Sequence, residues 1–500
     1  MSRTIWITAF IGLLLWDHNP AAYGKQPDVL FIAIDDLNDW VAATNGNQQA
    51  KTPSIDRFVE QGAVVFQNAY CAGPVCGPSR SALLSGFMPH TTGIYGNKHN
   101  MLRSPLVQQH ATLPEYFAKQ GYKTVSRGKI FHGHDSDKGA WAFQDWSRNG
   151  GVGVDRTRLT SRNKNLIRGK PAPPSEFTAR TGSPFEWGPT RGDVEETSDR
   201  IVARWAVEQL NQSHDQPLFL AVGLFRPHLP FFAPQEFFDL YPIDSIQVPE
   251  VRADDLDDIL LPSGKPAHAP SADYRWLNAQ NLFREVTQAY LAMVSYADSN
   301  LGIILNALET SGRLENTIVV LWGDHGWHLG EKLRYRKATG WIESTRVPLI
   351  IRLPGMTQPV DCHRPVNLID LFPTLIDLCD LPSKPELDGY SMARLLQDPS
   401  SQENGLFDRE FSTTIFGPQN VSITDGKWHW IETDRGTREL YDLQSDPMEW
   451  DNLADRQDER IAAAQRRLSA AMPTQFARPI LANDAAKNSP SQARDLETLR

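Results

Sequence analysis

Cysteine is scarce in this sequence, with four residues in a chain of 500. That excludes the disulfide-dense scaffolds of small secreted proteins. If Cys76 is used for chemistry, three thiols remain and at most one pair can form. Cys362 and Cys379 either pair or stay buried as free thiols, and the sequence leaves both open. Positive charge is also in short supply: 50 Lys and Arg face 60 Asp and Glu, for a net charge of -10. This argues against a general nucleic-acid binder, so no nucleic-acid partner is expected. An acidic chain that handles an anion must gather its cations in one pocket. After the N-terminus no apolar run reads as long enough to cross a bilayer, and no membrane anchor is expected.

What is present is the composition of an ordinary globular protein, 40% hydrophobic and 22% charged, able to bury a substantial core. Arg3 precedes an apolar run from Ile5 to Trp16, with small residues at Ala21, Ala22 and Gly24. This has the layout of a signal peptide over residues 1–24, which predicts export to a periplasmic, extracellular or lysosomal-type compartment.

Short apolar runs then alternate with helical patterns. Asp28–Ile34 reads as a buried parallel strand ending at Asp35 and Asp36, and the C-terminal edge of such strands is where ligands bind. Further strands are expected at 63–66, 122–126, 217–224, 316–322 and 347–352. Helices are expected at 53–61, 112–120 and 198–210, with a long one carrying Val286, Tyr290, Met293, Ala297, Leu301, Ile304 and Leu308 on one face. The pattern predicts an α/β fold, a large doubly wound mixed sheet flanked by helices, over residues 25–380. Residues 381–484 read as a smaller C-terminal α+β subdomain, with an antiparallel sheet between 412 and 443 and a helix near 459–471. A polar tail, 485–500, is expected to be flexible.

Residues 133–193 lack periodicity and read as an insertion folded over the pocket. Their basic run, Arg148 to Arg180, is either a ligand-facing surface or a solvated loop. Lys332, Arg334 and Arg336 likewise either line a pocket mouth or form a solvated basic loop. Asn211-Gln212-Ser213 and Asn420-Val421-Ser422 are glycosylation sequons, meaningful only in a eukaryotic secretory pathway.

The most specific motif runs from Cys76 through Gly77-Pro78-Ser79-Arg80 to Ser85-Gly86. Physically it places a nucleophile-sized side chain at a helix start, where Pro78 suits the first turn and free N–H groups favour negative charge. A buried cysteine ahead of a capped helix fits those facts too. The motif also resembles the C-x-P-S-R signature of the sulfatases, with Ser85 where Thr is more usual. Asp35-Asp36-Leu37, Gly128-Lys129-Ile130-Phe131-His132, Pro227-His228-Leu229-Pro230 and Asp324-His325-Gly326-Trp327 follow that family's blocks in its order, most like its iduronate-2-sulfatase branch.

The resemblance implies an alkaline-phosphatase-like fold and a sulfuric ester hydrolase acting on sulfated carbohydrate, with uronate-containing polysaccharide favoured. It implies that a formylglycine-generating or equivalent maturation enzyme oxidises Cys76, whose aldehyde hydrate is the nucleophile. One hydroxyl would attack sulfur, and the second would expel sulfate from the resulting sulfo-enzyme. It implies a divalent metal, Ca²⁺ or else Mg²⁺, held by Asp35, Asp36, Asp324, His325 and the side chain at position 76; three carboxylates suit such a hard cation. Arg80 is implied as charge stabiliser, His132 as base and His228 as general acid; Lys129, His228 and Lys337 are implied to bind sulfate. Two other readings remain: a phosphonate monoester or phosphodiester hydrolase of the same superfamily, and a non-catalytic homologue that binds sulfated glycans.

Overall fold

Strand β1 (Asp28–Ile34) is buried at all seven positions, which requires cover on both faces of its sheet. The computed structural model, which describes residues 26–132, 139–147, 185–190, 193–399 and 407–480, supplies that cover. With β2 (Val64–Phe66), β3 (Lys123–Gly128), β4 (Asp145–Ser147), β5 (Leu218–Leu224), β6 (Thr317–Gly323), β7 (Leu349–Arg352) and β8 (Val360–Cys362) it forms an eight-stranded sheet of order β8-β2-β7-β6-β1-β5-β3-β4. β1 lies between β6 and β5 and runs parallel to both. β7 runs antiparallel to β6 and β2, which makes the sheet mixed.

Side-chain alternation along β1 divides the core in two. Leu30, Ile32 and Ile34 face helices α1 (Pro53–Glu60), through Ile55 and Phe58, and other helices described below. Val29, Phe31 and Ala33 face the opposite layer, which includes α2 (Cys76–Ser85) through Leu83 and Leu84 and α3 (Leu113–Lys119) through Leu113 and Phe117. α4 (Ser198–Asn211) and the 28-residue α5 (Phe283–Thr310) complete the first layer, and α6 (Leu371–Leu378) the second. The start of α3 carries a capping box, with the Thr112 N–H donating to Glu115 Oε2 at 2.8 Å. By length and composition α5 is long and apolar enough to cross a membrane, contrary to the sequence expectation. Here Val286, Tyr290, Met293, Leu301 and Leu308 bury that apolar surface against the sheet.

After residue 407, β9 (Ser412–Gly417), β10 (Asn420–Thr424), β11 (Trp428–Glu432) and β12 (Arg438–Asp442) form an antiparallel sheet in sequence order. Gly426, at φ 87°, makes the Asp425-Gly426 turn, and α7 (Glu459–Ala470) packs Ile461 and Leu468 against Trp428 and Trp430. β9 also meets the loop that leads to Cys76: the Ile415 N–H donates to the Ala72 carbonyl at 2.9 Å. All four cysteines are buried free thiols, so Cys362 and Cys379 are not paired. The expected leader, the basic run 148–180 and the tail 485–500 lie outside the described residues.

Candidate active site

β1 and β6 end side by side, with Ile34 opposite Gly323. The next residues, Asp35 and Asp36 on one strand and Asp324 and His325 on the other, therefore emerge together at the C-terminal edge, all four with 0% exposure. The Asp36 N–H donates to Asp324 Oδ1 at 2.9 Å. Asp36 adopts φ 61°, a left-handed conformation that Asp tolerates at some cost and that turns its side chain back across the strand ends. Tyr290 of α5 clasps this turn: its hydroxyl donates to the Asp36 carbonyl at 2.7 Å and accepts from the Asn38 N–H at 2.9 Å.

Cys76 is the first residue of α2, preceded by extended Val75, so its side chain sits where backbone N–H groups are free of helical partners. The Gly77 N–H is met by Asn97 Oδ1 at 2.7 Å, and the Ser79 hydroxyl donates to the Asp324 carbonyl at 2.5 Å. The second bond docks the helix start on a strand end. Cys76 Sγ lies 3.2 Å from His325 Nε2, 3.3 Å from Lys337 Nζ and 3.8 Å from Asp36 Oδ1.

Arg80, one turn along α2 and 0% exposed, spreads its guanidinium behind the carboxylates. Nε donates to Asp324 Oδ2 at 2.8 Å, one terminal nitrogen to Asp35 Oδ1 at 3.1 Å, and the other to the Lys129 and Ile130 carbonyls. The resemblance implied a charge stabiliser beside the residue-76 side chain. Arg80 makes no hydrogen bond to Cys76 and instead fixes two carboxylates in place, so its charge acts from behind them.

Lys129 Nζ reaches Asp35 Oδ2 at 2.5 Å, and Lys337 Nζ bonds Asp36 Oδ1. Lys337 comes from a loop flanked by positive φ at Arg336 and Ala338, and the Ala338 N–H donates to the Pro74 carbonyl at 3.1 Å. Its ammonium lies over the Trp327 ring, 5.1 Å from the centroid. His132 is close enough to Cys76 for the two to interact electrostatically. His228 Nε2 is 3.8 Å from Asp36 Oδ2, while its Nδ1 faces the Leu229 carbonyl at 2.6 Å and its ring stacks on Phe225.

Burial alone would raise the Cys76 thiol, but Lys129, Lys337 and His325 hold it well below the usual thiol range. Burial would likewise raise Asp324, but Arg80 and His325 keep it below the ordinary carboxylate range. Burial pushes Asp35 well up despite Lys129, because Cys76 and Asp324 add negative charge nearby. His132 and His228 are both lowered, chiefly by burial. The pocket thus gathers acidic groups and the Cys76 side chain on its floor and cations around them.

The donor set fits a hard divalent cation. Asp35, Asp36, Cys76 and His228 bring ligand atoms within 4.8 Å of one another, as do Cys76, Asp324 and His325. Asp36 Oδ2 is buried without a hydrogen-bond partner, an acceptor left for a positive ligand. The structure brings every expected site residue into this one pocket. It also places His228 against the carboxylates, 3.8 Å from Asp36 Oδ2.

Lys332, Arg334 and Arg336 form no solvated loop. Lys332 is buried and paired with Asp255 at 2.8 Å, and Arg336 pairs with Asp273 at 2.6 Å. Tyr290 and Asn97 were not singled out from sequence. Tyr290 carried the only available signal, a hydroxyl on an otherwise apolar helix face.

A nucleophile at a helix start, ringed by cations and backed by carboxylates, defines a site for transferring an anionic group. The family model described as Sulfatase matches residues 27–381, and that described as N-sulphoglucosamine sulphohydrolase, C-terminal, matches residues 323–475. A sulfatase of Formosa agariphila is 35% identical over 451 residues, covering 86% of this chain and 83% of its own. Iduronate 2-sulfatase of Mus musculus is 30% identical over 435 residues, covering 78% and 76%. A phosphonate monoester hydrolase from Silicibacter pomeroyi shares the fold with a TM-score of 0.70 at 22% identity, covering 89% of this chain and 94% of its own. The chain belongs to the sulfatase family, enzymes that hydrolyse sulfuric esters.

Proposed function

We propose that this sulfatase is exported and removes sulfate from sulfated, uronate-containing carbohydrate. In this reading a maturation enzyme converts Cys76 to formylglycine, and a divalent metal, Ca²⁺ before Mg²⁺, is the cofactor. The observation that carries it is the convergence of Cys76, Asp36, His325 and Lys337 within hydrogen-bonding range in a buried pocket. The substrate class is supported by the 30% identity to iduronate 2-sulfatase over most of both chains.

Asp35, Asp36, Asp324, His325 and the residue-76 side chain would hold the metal, which supplies polarisation and lowers the pKa of a coordinated hydroxyl. The aldehyde hydrate supplies a nucleophile whose second hydroxyl allows sulfate to leave. The chain's own residues do the rest. Lys129 and Lys337 neutralise and orient the sulfate oxygens. His228, oriented by Leu229 and Phe225 with Nε2 toward the pocket, protonates the departing alkoxide. His132, lowered by burial and coupled electrostatically to residue 76, takes a proton there. Arg80 acts as a positioning residue for Asp35 and Asp324.

The test is parallel turnover of a panel of sulfated mono- and oligosaccharides and of phenyl phosphonate, using protein made with its maturation enzyme. Preferred desulfation of the uronate-containing members is expected. A large preference for the phosphonate would favour the phosphonate hydrolase reading, and inertness of aldehyde-bearing protein would favour a glycan-binding role.

A further inference from the structure

Beside Lys337 the chain opens into a second cleft with a volume of about 100 Å³. It lies between the Lys337 loop and the C-terminal sheet, lined by His268, Arg334, Thr339, Trp341, Phe416 and Ile431. Ala338 and Thr339 follow Lys337 directly, so the cleft begins one residue, about 3.8 Å of Cα trace, from a cation of the candidate active site.

Its chemistry is that of an anion site with an aromatic wall. Arg334 stacks on Trp341, 5.2 Å from the ring centroid, and its Nε is buried with no hydrogen-bond partner. Its side chain has no ion-pair partner among the described residues; its one side-chain hydrogen-bond contact is with His268 Nδ1 at 3.3 Å. A buried guanidinium N–H without a partner is costly unless a ligand or water meets it. The carboxylate in the lining, Glu439, is already engaged: it accepts from Trp341 Nε1 at 2.8 Å and from the Tyr441 hydroxyl at 2.7 Å. His268 is lowered to about 4 by burial and by Arg334, Arg435 and Lys332. Gly340 keeps the floor low, since a Cβ there would lie 2.8 Å from the Phe416 ring.

Resting on the proposed saccharide substrate, we propose that this cleft is a subsite for the sugar next to the one being desulfated, with Arg334 binding an anionic substituent, carboxylate or sulfate, on that ring. Trp341 and Phe416 supply the apolar wall for the ring face.

The experiment compares three oligosaccharides that carry the same reactive sulfate ester beside a uronate, a sulfated neutral sugar or an unsubstituted sugar. The readout is the ratio of kcat/KM for each charged compound to that for the uncharged one, in wild type, Arg334→Met and Arg334→Lys. Wild type is expected to favour at least one charged neighbour by about 10-fold to 100-fold, through KM. Arg334→Met is expected to abolish that ratio and Arg334→Lys to retain part of it. Which charged compound shows the effect distinguishes carboxylate from sulfate. The same ratio in wild type and Arg334→Met would overturn the subsite. Wild type inert toward all three would overturn the saccharide reading itself, a different outcome.

Discussion

The Asp36 N–H donates to the Asp324 carboxylate at 2.9 Å across 288 residues of sequence, joining the ends of two adjacent strands into one ligand-bearing surface. Asp324 also pairs with Arg80, which is fully buried. Asp324→Ala leaves Arg80 with Asp35 but strips the partner of its Nε, and is expected to cost about 2–3 kcal/mol of stability, measured by denaturant unfolding. A loss below about 1 kcal/mol would mean that Arg80 finds another partner.

Tyr290→Phe removes the hydroxyl that clasps the Asp36 turn from both sides. Because the turn aims a proposed metal ligand, apparent metal affinity is expected to fall roughly 10-fold to 100-fold. Titrating metal-stripped protein with Ca²⁺ and following activity reads this directly. An unchanged titration would assign Tyr290 to packing alone.

Chelation followed by dialysis is expected to abolish turnover, and Ca²⁺ to restore it. Stability should move too: at a metal concentration 100 times Kd the gain is roughly 2.7 kcal/mol, visible as a rise in Tm. Thorough chelation with no effect on rate or Tm would remove the metal from the account.

These expectations differ in how far the sequence made them visible. Strand β1 was legible because a strand buried on both faces is a continuous apolar run, and its end announced Asp35 and Asp36. Cys76 and Arg80 were legible because a helix start is local. The reversed direction of β7 was not, since a short apolar strand carries no mark of direction. Nor was the engagement of Arg80 with Asp35 and Asp324, or of Lys332 with Asp255, because those partners meet only after the sheet assembles. The Tyr290 clasp failed for the same reason: its face read as core, and core it is, with one hydroxyl put to other use.

His228→Ala should discriminate between leaving groups. Alkyl sulfate esters are expected to lose roughly 100-fold to 10,000-fold in kcat, and an activated aryl sulfate far less, because it needs no proton on departure. Burial lowers His228, so its acid form is lost as pH rises through a value below the ordinary histidine range. Alkyl sulfate turnover should accordingly decline toward neutral pH, and that limb should vanish in the variant. Equal losses for both esters would place His228 in binding rather than proton transfer.

The central claim is that residue 76 acts as an aldehyde hydrate rather than as a thiol. Its most direct test is turnover plotted against aldehyde content at position 76, in preparations made with graded amounts of maturation enzyme. The account predicts a straight line through the origin, with Cys76→Ala at the origin and folded. Full turnover in protein carrying only the Cys76 thiol would contradict it.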